Sequence, residues 1–77
     1  MIHDLKIEYN YLDNLLSGKK RAEIRYNDRD YQKGDLLRFK DYRQNDGVKI
    51  HLFEILHVHS GLGLKEGYVV LSIRNIE

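Results

Sequence analysis

The chain contains no cysteine and no proline. The first absence excludes disulfides and thiolate metal centres, and fits a reducing cytoplasm. The second leaves glycine and Asn/Asp clusters to punctuate the chain, and removes one device that protects sheet edges. No apolar run approaches the ~20 residues that cross a bilayer, so no membrane contact is expected. The opening MIHDLKIEYN lacks the basic-then-apolar order of a secretory signal. No repeat, low-complexity tract or linker interrupts the 77 residues, so one domain over 1–77 is expected. The net charge is only +1, which argues against unspecific coating of duplex nucleic acid.

What the chain does contain is alternation. IHDLKIEY sets His3, Leu5, Ile7 and Tyr9 on one face, the pattern of a half-buried strand. NYLDNLLSG predicts a short helix with Tyr11, Leu12, Leu15 and Leu16 on one face, Asn10 as its cap and Gly18 as a left-handed stop. RAEIRY alternates again, with Ala22, Ile24 and Tyr26 expected inside and Arg21, Glu23 and Arg25 outside. NDRDYQKGD is a loop closed at Gly34-Asp35. LLRFKDYR is a third strand. Asp46-Gly47 marks a hairpin turn before the long VKIHLFEILHVH. SGLGLKEG is a connection, and YVVLSIRNI is a last strand with Val69, Leu71 and Ile73 in phase. Five strands and one short helix after the first strand imply an α+β, mainly β fold: a small curled sheet or partly closed barrel.

Positive charge is clustered. Lys19, Lys20, Arg21, Arg25 and Arg29 fall within eleven positions, while acidic residues are spread along the chain. Strand period places Glu23 and Arg25 on one face, and Lys20 lies where the chain turns into that strand. Together they would form one mouth able to hold a phosphate, Arg as a planar fork and Lys as a point charge. Glu23 would then orient Arg25, or accept from a base amino group. A solvated strand face looks the same, and its ion pairs are worth ~0–1 kcal/mol. In the adjacent loop Asn27 and Asp28 suit turn building, and Arg29 suits the same cleft with Asp28 bracing it. Tyr31 is the best candidate to stack on a base, with loop anchoring as the alternative; Tyr42 is expected to be exposed, and Tyr26 and Tyr68 to pack inside. His57 and His59 share a strand phase with His51, but no acidic residue or cysteine completes a ligand set. No metal or cofactor is therefore expected. His3, in an apolar phase, reads as a hydrogen-bonded core residue.

The spacing Gly18-x-Lys20-x-x-Glu23-x-Arg25 resembles the signature of ASCH domains, members of the PUA-like superfamily of small β-barrels. Together with MIHDLKI, LSGKKRAEIRYNDRDYQKGD and GLGLKEGYVVL, it resembles the DUF3850 family, found in phage and bacterial genomes, over nearly the whole chain. The resemblance implies a PUA-like pseudo-barrel with a cleft beside the helix. It also implies an RNA- or nucleotide-binding module using Lys20, Glu23, Arg25, Asn27, Arg29 and Tyr31. One ASCH branch hydrolyses the amide of acylated cytidines with a motif lysine, a nearby threonine and a later glutamate. Lys20 matches the lysine, whereas Glu23 stands at the threonine position and the chain has no room for the later insertion. An amidohydrolase using Lys20 and Glu23 is thus the alternative, and a phage or bacterial protein-interaction adaptor a residual one.

Overall fold

The computed structural model describes residues 1–76. The expected element order holds: β1 (Ile2–Asp4), α1 (Tyr9–Ser17), β2 (Ala22–Tyr26), β3 (Leu36–Asp41), β4 (Lys49–His59) and β5 (Tyr68–Asn75). The strands form one mixed sheet in the order β1-β3-β4-β5-β2, with β1 parallel to β3 and every other pairing antiparallel. The sheet curls into a half-barrel whose edge strands, β1 and β2, do not pair. The helix links these two edges.

The concave face carries Leu37 and Phe39 from β3, Phe53 and Ile55 from β4, and Val69, Leu71 and Ile73 from β5. Leu12 and Leu15 of α1 enter the same core. Truncating Phe39 or Phe53 to alanine would cost about 3–5 kcal/mol, a large share of what so small a core supplies. Gly18 ends the helix as expected: its φ of 82° is left-handed, and its N–H donates to the Leu15 carbonyl at 3.3 Å.

Several local expectations are corrected. β1 is only three residues long, and Tyr9 opens the helix instead of closing a strand. Glu8 is the N-cap, without a side-chain bond, so Asn10 lies inside the first turn; Tyr11 faces solvent. A register shift between Ile55 and His57 reverses the phase of β4 midway. His51 therefore points into the core, while His57 and His59 sit opposite Ser72 and Val70 on the outer face.

The largest correction is β2, whose phase is inverted. Glu23 lies opposite Leu71 and Arg25 opposite Val69, both core residues. Glu23 is 7% exposed, whereas Ile24 is 60% and Tyr26 56% exposed. Alternation separates two faces without saying which one meets the core. On an edge strand bordering an open seam, the inner face can carry charge. Tyr26 and Tyr68, expected inside, instead form an edge-to-face pair on the outside with centroids 5.4 Å apart.

Candidate functional site

Because β2 turns its charged face inward, a buried Glu23 becomes the hub of a polar triad with the half-buried Lys20 and Arg25. Its Oε2 accepts from both Nε and Nη2 of Arg25, at 3.1 and 2.8 Å. Its Oε1 stands 3.3 Å from Lys20 Nζ. Arg25 Nη2 also donates to the carbonyl of Lys6 at 2.8 Å, which ties β2 to the segment leaving β1 across the open seam. The Lys20 ammonium rests 5.5 Å from the centre of the Tyr11 ring. Burying the Glu23 carboxylate beside Leu71 carries a desolvation cost that the half-buried Arg25 guanidinium only partly offsets.

The triad joins two hollows. Arg25 faces the seam between β1 and β2, a hollow of about 390 Å³ lined by Lys6, Arg25, Asp28, Arg29 and Tyr31. Lys20 faces a different hollow at the end of α1, alongside Leu16, Arg21 and Ser72. The three motif residues are thus brought together through Glu23, as expected, but they do not open on one mouth.

The loop residues divide. Arg29 is exposed on the seam, and makes no ion pair among the described residues. Asp28 lines the same hollow but does not brace it. Asn27 builds the turn: its Oδ1 accepts from the Tyr31 N–H at 2.9 Å and its own N–H donates to the Gly67 carbonyl at 2.8 Å. Tyr31 is corrected. It is only 3% exposed and meets His3 edge-to-face at 4.9 Å, so its ring belongs to the floor of the seam and offers no open face for stacking. Burial raises its hydroxyl above the usual tyrosine pKa, partly countered by Arg25 and Arg29.

His3 is the hydrogen-bonded core residue its phase suggested, with Nε2 2.9 Å from Asp35 Oδ2. Asp35 also accepts from the Gln32 N–H at 3.1 Å. The hydrogen bond with His3, followed by that from Gln32, lowers the Asp35 carboxyl below its ordinary value. This knot holds the Asn27–Asp35 loop against β1 and so fixes the far wall of the seam.

A second polar cluster stands beside the start of α1. Arg43 donates to Asp13 at 3.0 and 2.8 Å and to Asp41 at 3.0 and 2.8 Å. Its guanidinium also lies 4.2 Å from the centre of the Tyr9 ring. Arg43 holds the Asp41 carboxyl well below the usual carboxylate range, and Asp13 and Asp41 hold Arg43 above the usual arginine range. His51 Nε2 is 3.8 Å from Asp41 Oδ2.

Lys6, Tyr11 and the Arg43 cluster were not singled out from sequence. Lys6 contributes a backbone carbonyl, which no side-chain pattern signals, and Arg43 acts on Asp13 across thirty positions of chain.

Residues 2–73 match the family described as Domain of unknown function (DUF3850), and the chain belongs to that family. It is also similar to the uncharacterised 12.9 kDa protein in the GpA 3′ region of Escherichia phage P2, with 46% identity over 43 residues. That match takes in 56% of this chain and 39% of the relative's length, so the chain aligns with less than half of the phage protein.

Proposed function

We propose that this DUF3850 chain is a PUA-like module of the ASCH type, which binds RNA or a nucleotide-like ligand at the seam between β1 and β2. The observation that carries the proposal is the inverted phase of β2. A 77-residue domain that turns Glu23 and Arg25 inward, burying Glu23, while leaving Ile24 and Tyr26 in water forgoes stability at that strand. Such a choice is understood if the inward charges serve a ligand. Glu23 and the Lys6 carbonyl fix the plane of Arg25 at the wall of the seam. Arg29 adds an unpaired cation on the facing loop, and the two would clamp a phosphate. Lys20 holds the other oxygen of Glu23 and acts through it.

The test is a titration of labelled hexauridylate at two salt concentrations. Binding should weaken as salt rises. Arg29→Ala should reduce it directly, and Lys20→Ala should reduce it by loosening Glu23. Absence of binding to RNA, single-stranded DNA and nucleotides alike would remove the proposal. The Lys20–Glu23 contact at 3.3 Å also favours a second reading, hydrolysis of the amide of an acylated nucleoside. Release of carboxylate from acylated cytidine, lost in Lys20→Ala, would establish that reading; no turnover over hours would dismiss it.

A further inference from the structure

A third hollow abuts the seam. It lies where β1 leaves the sheet, measures about 510 Å³, and shares Asp4, Leu5 and Lys6 with the seam. Its other walls are Tyr9, Tyr42, Arg38 and Lys40. Arg38 is committed to Asp4, with Nε and Nη2 donating to the two carboxylate oxygens at 2.6 and 2.8 Å. Lys6 and Lys40 are exposed and make no ion pair among the described residues. The hollow therefore carries two unpaired positive charges beside a carboxylate that is already neutralised.

Its aromatic walls are built in place. The Arg43 guanidinium stacks against the Tyr9 ring, and Asp13 and Asp41 hold that guanidinium from two sides. The Tyr9 hydroxyl accepts the Tyr42 backbone N–H at 3.2 Å, which anchors the start of the hairpin loop. Tyr42 itself is 65% exposed. A tyrosine left in water beside two free lysines, on backbone fixed by four other residues, is a stacking platform with phosphate partners.

We infer that this groove is a second nucleotide subsite. The ligand of the seam is then a single strand running over the Asp4–Lys6 ridge, with one phosphate at Arg25 and Arg29 and a neighbouring base on Tyr42, its phosphate near Lys40. The inference rests on the seam reading and extends it from a nucleotide to a strand. Charge complementarity selects the occupant: the unpaired groups in this groove are cations, and the exposed ring accepts any base face.

Fluorescence anisotropy with hexauridylate, an abasic phosphodiester hexamer and competing uridine monophosphate tests it. Hexauridylate should bind more tightly than either of the others. Tyr42→Ala should weaken hexauridylate binding about fivefold or more while leaving the monophosphate unchanged. Lys40→Ala should lower the salt slope for hexauridylate by about 0.7. Arg29→Ala should weaken both ligands. If the monophosphate binds and Tyr42→Ala leaves hexauridylate untouched, or if the abasic hexamer binds equally well, the second subsite is overturned and the seam stands. If no nucleic-acid ligand binds, both fall together. Tyr42 is exposed, and Lys40→Ala is an independent surface change, so loss of folding does not confound the result; far-ultraviolet circular dichroism verifies it.

Discussion

Glu23 accepts two hydrogen bonds from Arg25 through one carboxylate oxygen, and both side chains lie on the core side of an edge strand whose isoleucine and tyrosine face water. For a structural ion pair this is the wrong way round. The pair links Lys20, the seam and the Lys6 carbonyl, and that linkage is what a purely apolar inner face would not provide.

Replacing the triad with apolar residues separates its two possible roles. Lys20→Met, Glu23→Leu and Arg25→Met combined should leave urea stability unchanged or raise it by about 1–4 kcal/mol, since such exchanges remove desolvation costs. Glu23→Leu alone should destabilise, because Lys20 and Arg25 lose their common partner. RNA binding should vanish in both. Retained binding in the triple variant would detach the triad from function.

Acid should act through Asp35 and Asp41. Both carboxyls are lowered, Asp35 chiefly by its hydrogen bond with His3 and Asp41 chiefly by Arg43. A depressed folded-state value means the stabilisation is complete above the unfolded-state value of about 4 and is lost as pH falls through the folded-state value. Urea midpoints should therefore show no pH dependence from these groups between about pH 5 and 7, where their stabilisation is complete, and should fall below about pH 4. Asp41→Asn should lower the neutral-pH midpoint and flatten the acid limb. An unchanged acid limb would contradict the assignment.

Gly67 should be replaceable only at a cost that depends on Tyr26. Its φ is 87°, and a Cβ there would meet Tyr26 Cε1 at 2.6 Å. Gly67→Ala should destabilise by about 1–2 kcal/mol from the left-handed backbone alone, with a further steric penalty. In a Tyr26→Ala background the steric part should disappear. Thermal melts of the four-member cycle measure this coupling, and strict additivity would refute the close approach.

Much of the fold was legible in the sequence. The order of elements followed from alternation, from Gly18 and from Asp46-Gly47, because each is a local property of the chain. What was not legible depended on neighbours. RAEIRY alternates identically whichever face is inward, and only the position of β2 at an open edge decides for Glu23 and Arg25. The three histidines of β4 share a phase on paper until one bulge divides them. Tyr31 is surrounded by polar sequence, yet the His3–Asp35 hydrogen bond folds its loop onto the core. Of the candidate site, the Glu23–Arg25 ion pair was anticipated, whereas the Lys20–Glu23 contact and the division between two hollows depend on where α1 crosses from one sheet edge to the other.

Amide chemical shifts mapped while hexauridylate is added would show whether a strand lies along the seam. Perturbations should concentrate at Lys6, Arg25, Asp28, Arg29 and Tyr31, extend to Lys40 and Tyr42, and be suppressed by Arg29→Ala. Perturbations confined to the outer sheet face around Ile24 and Val70 or to the Ser60–Gly67 connection, or none at all, would contradict that placement.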